Sequence, residues 1–326
     1  MALHAGGAST DPDHLLIAFA DRRAPACEAA RGQLRLPALD ALLARLAPQP
    51  PDAQDEDSLS PPHERALAAA LGLAAPDGGL PWAALAAQRA GLPESESAPW
   101  GFVTLCHWQV GMSEVVLGDP ERLQVDAAES AALLDTARPF FEEDGIALFE
   151  GGRPGLWLAR GAVFDGLATA SADRAAGRPL ADWLPMGEAA RGLRRLQNEM
   201  QMLLYTHRAN DERTARGQLP INSFWLSGTG RLTAGAAAAT APTLDTSLRA
   251  AALDDDGDAW AAAWAALDAG PVARLLERSR AGAAVRLTLC GDRAAQTWQP
   301  GARGLSAWLR RRLGAAPLTA DVLEAL

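Results

Sequence analysis

The most informative stretch of the chain reads Leu196-Gln197-Asn198-Glu199-Met200-Gln201-Met202-Leu203-Leu204-Tyr205-Thr206-His207, then a polar turn, then Leu219-Pro220-Ile221-Asn222-Ser223-Phe224-Trp225-Leu226-Ser227-Gly228-Thr229-Gly230. In its first part, leucines and methionines recur at steps of three and four residues, which predicts an amphipathic helix over 188–206. Its second part is an apolar run of strand length, 221–226, that ends in glycines. A helix that leads into a buried strand is a building unit of an α/β fold.

Polar and aromatic side chains surround the end of this predicted strand. The backbone N–H groups of a glycine-rich loop there would suit an anion, although a tight turn with locally bonded hydroxyls explains the same residues. Open α/β sheets bind ligands at the carboxyl ends of their strands. The candidate ligand contacts are therefore Asn222, Ser223, Trp225 (as a wall), Ser227, Gly228, Thr229 and Gly230, with His107 and Asn198 as outside candidates.

Further elements are predicted on either side of this stretch. Residues 15–20 form a continuous apolar run that is typical of a buried strand, and Asp21 follows it. The pattern from residue 101 predicts a small α+β layer of a strand (101–110), a helix (127–141) and two short strands (146–149 and 156–158). The spacing of Asp126 and Glu129 predicts an N-cap box at the start of that helix. The C-terminal part predicts a flexible Ala/Thr stretch (233–243), a helix bent at Gly270-Pro271 (258–280) and a strand (285–290). A last helix (305–313) is predicted to carry a solvated basic run (310–312).

The composition excludes several functions. The chain of 326 residues has no lysine, so Schiff-base catalysis and a Walker-type phosphate loop are both excluded. The net charge of −10 disfavours binding to nucleic acid, and no helix-turn-helix pattern is present. Neither a signal peptide nor an apolar stretch of membrane-spanning length is visible, so we expect a cytoplasmic protein that binds no membrane.

The residues that often bind metals are scattered. The three cysteines show no CxxC spacing and are predicted to be buried free thiols. The five histidines show no HxH or HExxH spacing, and Asp13-His14 is expected to be an exposed polar pair. The run 254–258 lacks the outer ligands of a calcium loop and instead predicts an acidic helix N-cap.

The stretch from Leu196 to Gly230 resembles a proteobacterial family labelled "regulatory protein, RpfE type", which is described as related to cofactor-independent phosphoglycerate mutase. Archaeal-type mutases carry the segment Asn-x-x-Trp-x-x-Gly-x-Gly where a strand leaves their inserted lid domain. Asn222, Trp225, Gly228 and Gly230 resemble that segment. Residues 101–160 are similar in outline to the lid, and Asp21 resembles the metal-binding acid that ends the enzymes' first strand.

This resemblance implies an alkaline-phosphatase-like α/β fold, with a mixed sheet flanked by helices and an inserted small α+β lid layer. It implies that 1–99 and 186–326 are the N- and C-terminal parts of the core and that 100–185 is the lid-like region. Enzymes of that superfamily need a Ser or Thr nucleophile and two metals held by Asp and His residues. No histidine follows His207, so that ligand set cannot exist in the expected place, and Asp21 alone cannot hold a metal pair.

We therefore predict a degenerate, non-catalytic protein with a binding or regulatory role and no cofactor. Its partner would be a small molecule or a protein, bound in a cleft between the main sheet and the layer 101–184. The alternative is a metal-dependent phosphomutase or phosphatase that acts on a small phosphorylated metabolite, with a divalent metal at Asp21. A third hypothesis is an interaction adaptor that uses exposed tryptophans.

Overall fold

The structure is a computed structural model that describes residues 10–188, 190–233, 240–301 and 319–326. Its strands are β1 (Thr10–Ile17), β2 (Ala47–Pro48), β3 (Asp52–Ala53), β4 (Trp100–Cys106), β5 (Trp108–Val110), β6 (Val115–Leu117), β7 (Ala147–Glu150), β8 (Leu156–Arg160), β9 (Ser223–Gly230), β10 (Ala241–Asp245), β11 (Arg286–Cys290) and β12 (Ala294–Gln299). Its α-helices are α1 (Pro25–Arg31), α2 (Pro37–Leu43), α3 (Pro62–Ala70), α4 (Trp82–Arg89), α5 (Ala127–Glu143), α6 (Ala172–Ala175), α7 (Ala190–Tyr205), α8 (Arg208–Ala215), α9 (Arg249–Leu253), α10 (Gly257–Leu267), α11 (Ala273–Arg280) and α12 (Thr319–Glu324).

The described residues form two compact units. The insert unit contains residues 58–60 and the described part of 73–238, and the mixed-sheet unit contains the described parts of 8–57, 61–72 and 239–326. This division differs from the predicted boundaries at 99/100 and 185/186. Helix α4 packs on β4 and β9, and β9 pairs with β4, so α4, α7, α8 and β9 all belong to the insert unit.

The mixed-sheet unit is built on one sheet with the strand order β10-β1-β11-β12-β2, and β3 also pairs with β12. Strand β1 is parallel to both β10 and β11, whereas β12 is antiparallel to its neighbours. Alternate strand residues such as Ile17 and Leu289 pack into a core with helices α2, α10 and α11. Helix α3 packs on β1, β11 and β12. The predicted α/β class, a mixed sheet flanked by helices, is confirmed.

The first strand begins and ends earlier than predicted. It spans Thr10–Ile17 rather than 15–20, because the chain leaves the sheet at Phe19, which has a φ of +58°. The prediction of an exposed Asp13-His14 pair is wrong for His14. That histidine is 6% exposed, since it lies on the strand and bonds through Nε2 to the Thr288 hydroxyl at 2.9 Å.

The insert unit contains an antiparallel sheet with the order β7-β8-β4-β9 and a separate β5-β6 hairpin. Helices α5 and α7 pack on this sheet and share one apolar core with it. The predicted helix N-cap at Asp126 is confirmed as a capping box with Glu129. The strand predicted over 101–110 is interrupted at His107, which separates β4 from β5.

The C-terminal predictions have mixed outcomes. Residues 241–243, predicted as the end of a flexible stretch, belong to β10, because this strand pairs with β1 in the sheet. The bend predicted at Gly270-Pro271 is a π-helical turn, Asp268–Val272, between α10 and α11. The predicted last helix, 305–313, and the basic run 310–312 lie outside the described residues. Within the described parts of the chain, no helix is long and apolar enough to cross a membrane.

The adaptor hypothesis needs exposed tryptophans; Trp308 lies outside the described residues, so the hypothesis stays a prediction. Among the described residues, Trp108 is half-buried and every other tryptophan is buried. Burial of these large rings supplies packing energy to the two units, so the rings are not available as an interaction surface.

Candidate functional site

The predicted ligand contacts near residue 225 are largely buried in the insert unit. Trp225 is 1% exposed, and its indole N–H donates to the Ala170 carbonyl at 2.9 Å. Thr229 is fully buried and donates to the Leu167 carbonyl at 2.6 Å. Ser223 is also fully buried, and its hydroxyl has no partner among the described residues. Their role as ligand contacts stays a prediction, and the structure gives Trp225 and Thr229 local structural partners.

The glycines predicted as a loop belong to strand β9 instead. Gly228 has a φ of +63°, and a Cβ there would lie 2.9 Å from a ring carbon of Phe102. Gly230 has a φ of +132°. The pairing of β9 with β4 shifts register at this point, so the glycines form a bulged strand end that allows a close approach to Phe102. Ser227, which precedes them, is half-buried.

Asn222 and His107 lie together and shape the backbone. The Asn222 side chain accepts the Trp108 N–H at 2.7 Å and donates to the Trp108 carbonyl at 2.9 Å, as a neighbouring strand would. His107 Nδ1 lies 2.8 Å from the Pro220 carbonyl, so this nitrogen carries the proton. These hydrogen bonds hold the start of β5 against the residues that precede β9. Asn198 is not part of this group, because it lies on the exposed face of α7.

A second group of candidate side chains, the carboxyl-edge group, lies at the carboxyl end of β1 in the mixed-sheet unit. The chain turns there through Phe19, whose positive φ is a strained conformation for a large residue. Two buried indoles hold the turn: Trp260 donates to the Phe19 carbonyl at 3.1 Å, and Trp264 donates to the Ala20 carbonyl at 3.2 Å. Asp21 follows directly, at the sheet edge where α/β proteins bind ligands.

Asp21 is a buried carboxylate in which one oxygen pairs with an arginine. The residue is 1% exposed, and its Oδ1 accepts from Arg31 Nη1 at 2.8 Å. Its Oδ2 is buried and has no hydrogen-bond partner in the described parts of the chain. Burial raises the pKa of Asp21 above its ordinary value, while the Arg31 guanidinium acts in the opposite direction.

Asp292 lies two residues after the end of β11, and both of its carboxylate oxygens accept hydrogen bonds. Arg22 Nη1 donates to its Oδ1 at 2.9 Å, and the backbone N–H of Arg23 donates to its Oδ2 at 2.8 Å. Both side chains of the ion pair are mostly buried. The residues that follow β1 therefore bind the acid that follows β11, and this interaction joins the two strand ends.

These two carboxylates do not fit a two-metal centre. Divalent ions need free carboxylate oxygens and a negative environment. Here three of the four oxygens accept hydrogen bonds, and two arginines supply the positive charge. The set is neutralised by guanidinium groups, so it does not require a metal for charge balance.

The acidic run at residues 254–258 caps helices. Asp255 has a φ of +51° and accepts from the backbone N–H groups of Ala26 and Cys27 in α1 at 2.9 and 3.1 Å. Asp256 accepts from the Ala259 N–H at 2.9 Å and begins α10, as predicted. Burial raises the pKa of Cys27 to about 12, so this thiol is unreactive at neutral pH.

Sequence reasoning missed several members of the carboxyl-edge group. Asp292 follows the predicted strand 285–290, so the rule that open α/β sheets bind ligands at the carboxyl ends of their strands could have located it. Arg31 gave no signal, because its pairing with Asp21 depends on how α1 packs. His63 was also missed: it is 2% exposed, and its ring lies 5.1 Å from the Phe19 ring.

Comparison with known proteins reveals likeness of structure only. No protein-family model matches the chain, and no curated protein matches it. The chain is similar to a cofactor-independent phosphoglycerate mutase from Thermoplasma acidophilum, with a TM-score of 0.36 and 13% identity over 96% of this chain and 98% of that one. It is also similar to the PH0037 protein from Pyrococcus horikoshii, with a TM-score of 0.44 and 14% identity over 91% and 88% of the two chains. Both scores are below 0.5, so neither likeness bears on activity.

Proposed function

We propose that the protein is a non-catalytic binding or regulatory protein on a degenerate phosphoglycerate-mutase-like scaffold. The observation that carries this proposal is the pairing of Asp21 with Arg31 and of Asp292 with Arg22, both at the carboxyl edge of the parallel strands. Membership in the RpfE-type regulatory family and a cytoplasmic location are parts of the same proposal.

The physical argument concerns charge at this edge. A catalytic metal centre of the alkaline-phosphatase type needs several anionic or neutral ligands that face the ions. A guanidinium at hydrogen-bond distance keeps its charge at all physiological pH values and repels a divalent cation at the same carboxylate. Arg31 and Arg22 thus provide the positive charge that metals provide in an active enzyme.

One observation favours the alternative, a metal-dependent phosphomutase or phosphatase. Asp21 Oδ2 is buried and has no partner among the residues that the structure describes. A buried carboxylate oxygen without a hydrogen bond is costly, and a divalent cation would satisfy it. Under this alternative, Asp21 is a metal ligand and the substrate is a small phosphorylated metabolite.

Metal content distinguishes the two functions. We suggest expressing the chain in medium with added Mn²⁺ and Zn²⁺, measuring bound metal by mass spectrometry, and assaying hydrolysis of p-nitrophenyl phosphate with and without EDTA. The proposal predicts no metal that depends on Asp21 and no EDTA-sensitive hydrolysis.

The control is Asp21→Asn, which keeps the size of the side chain and removes its charge. About two metal equivalents in the wild type, lost in this variant together with EDTA-sensitive hydrolysis, would establish the enzyme and refute the non-catalytic proposal.

A further inference from the structure

A small cavity lies in the insert unit, where the turn between β7 and β8 approaches a 3₁₀ turn, Pro120–Leu123, that precedes α5. Its volume is about 210 Å³. The floor contains Leu105, Pro120 and Gly155, which are buried. Pockets for drug-sized ligands have volumes of roughly 300–1,000 Å³, so this cavity suits a smaller metabolite.

Hydrogen bonds fix the walls of the cavity. The Gly155 N–H donates to the Ser130 hydroxyl at 2.9 Å, and the Gly155 carbonyl accepts from the Leu105 N–H at 2.8 Å. On the other side, Asp119 caps the 3₁₀ turn by accepting from the Glu121 N–H at 3.2 Å. Because the walls are held in this way before a ligand arrives, little conformational entropy is lost when a ligand binds.

Opposite charges meet at the mouth of the cavity. Arg153 Nη2 lies 3.4 Å from Glu121 Oε1, and the two side chains are 34% and 40% exposed. This distance is longer than the roughly 2.7–2.9 Å of a well-formed hydrogen bond between charged groups. An exposed ion pair of this kind contributes little to stability, because water competes for both partners. Each charge can therefore exchange its partner for an opposite charge on a ligand.

Gln124 has a strained backbone at the same mouth. Its φ is +49°, in the left-handed region that a residue with a long side chain seldom adopts. Strain of this kind is most common at ligand clamps, active sites and switch regions. Gln124 is exposed and lines the cavity, and its amide supplies both donors and an acceptor. The mouth thus offers a carboxylate, a guanidinium and an amide above an apolar floor.

We propose that this cavity binds a small zwitterion, an α-amino acid with an apolar side chain. The ligand's ammonium group pairs with Glu121, its carboxylate pairs with Arg153, and its side chain contacts Leu105, Pro120 and Val125. A simple anion would be repelled by the carboxylate at the mouth and a simple cation by the guanidinium, whereas a zwitterion places an opposite charge beside each. The cavity contains no member of the carboxyl-edge group, so the proposal holds whether or not that group binds a metal.

The test is a titration of L-leucine, and separately of L-phenylalanine, into the isotope-labelled full chain, followed by NMR. Saturable shifts are expected at the backbone amides of Gln124, Arg153 and Gly155. L-Leucinamide lacks the carboxylate of leucine, and 4-methylpentanoate lacks its ammonium group. Each of these two compounds is expected to bind about tenfold or more weakly than L-leucine, because one charged hydrogen bond is lost.

Two variants test the charges at the mouth separately. Arg153→Gln and Glu121→Gln each remove one charge, and each is expected to weaken the binding of L-leucine about tenfold or more. The matched control is Arg138→Gln, which removes the arginine of an exposed ion pair with Asp135 at 3.1 Å on α5, outside the cavity lining. That change is expected to leave binding unchanged. The spectrum of each variant also shows whether it is folded, and the comparison of ligands needs no variant.

Three results would overturn the proposal. They are an absence of saturable shifts at the cavity amides with both amino acids, binding of L-leucinamide or 4-methylpentanoate as tight as that of L-leucine, or binding by Arg153→Gln and Glu121→Gln as tight as by Arg138→Gln. Metal content plays no part in these readouts, so failure here is distinguishable from failure of the proposed function.

Discussion

Asp21 occupies an unusual position for an acidic residue. Taking a carboxylate out of water is costly unless charged and hydrogen-bonding partners surround it. Asp21 has a charged partner, Arg31, and its Oδ2 accepts no close hydrogen bond in the described chain. The strained turn at Phe19 and the two indole hydrogen bonds keep the carboxylate at this place. Strained backbone and unsatisfied buried polar groups are most common at functional sites.

Replacement of Arg31 by Gln is expected to destabilise the protein, because it leaves a buried carboxylate without its positive partner. We expect the free energy of unfolding to fall by about 2 kcal/mol or more, measured by urea denaturation at pH 7. The control is Glu28→Gln, which removes another carboxylate near Arg31, one that is 54% exposed and 3.8 Å away. That change is expected to cost little. Equal effects of the two substitutions would contradict the importance of the buried pair.

His14 predicts a pH dependence of stability. Burial and, to a smaller extent, the nearby Arg286 lower the pKa of His14, whereas Asp11 raises it, and the net result is a pKa of about 4. The unfolded chain therefore binds a proton in the window between about 6.5 and 4 that the folded chain does not bind. The contribution of His14 is thus fully present above pH 6.5 and decreases as the pH falls through this window.

The corresponding variant is His14→Gln, which keeps a polar group near the Thr288 hydroxyl but does not titrate. Urea denaturation at pH 7 and at pH 4.5 is expected to show a smaller loss of stability on acidification in the variant than in the wild type. The same loss in both proteins would show that other groups control the acid sensitivity.

At the scale of elements, the packing of β9 accounts for most of the unusual residues between 219 and 230. The helix α7 supplies one wall, β4 supplies the paired neighbour, and the glycines allow the strand to end against Phe102. An alanine at Gly228 would clash with that ring and would also need a left-handed conformation. The Asn-x-x-Trp-x-x-Gly-x-Gly pattern thus describes packing in this chain: a backbone clamp at Asn222, a bonded core indole at Trp225 and a bulge at Gly228.

Gly228→Ala is expected to lower the free energy of unfolding by about 3 kcal/mol, the sum of backbone strain and a steric clash. Gly217→Ala is the matched control, since Gly217 has a similar φ of +69° but open space around the position of a Cβ. It is expected to cost about 1 kcal/mol from strain alone. Chemical denaturation of both variants measures the difference. Equal losses in the free energy of unfolding would contradict a packing role for Gly228.

At the scale of the whole molecule, regular patterns were the most predictable features. The spacing of apolar residues over 196–204 predicted α7, and the spacing of Asp126 and Glu129 predicted the start of α5. Both predictions succeeded because they depend on residues that are close in sequence. Residue pairs that depend on packing were not predictable: Arg31 with Asp21, Gln197 with Phe224, and His14 with Thr288. The strand limits around Phe19 and the role of Gly228 also needed the tertiary structure, since a bulge or a strained turn has no periodic signal.

The candidate site was predicted in part. Asp21 was singled out by its resemblance to the metal-binding acid of the mutases, and the structure places Asp292, Arg22 and Arg31 at the same sheet edge. The residues near 225 were selected because they are polar, aromatic or glycine, and the structure assigns most of them local structural contacts. Composition identifies unusual residues, but it does not tell whether they face a ligand or a neighbouring strand.

A titration of Mn²⁺ into the metal-free chain, followed by calorimetry, tests the central claim that arginines take the place of metals at this edge. We predict that the wild type and Asp21→Asn give the same isotherm, because Arg31 and Arg22 already neutralise the two carboxylates. Tight binding of Mn²⁺ by the wild type that is lost in Asp21→Asn would contradict the account and would make Asp21 a metal ligand.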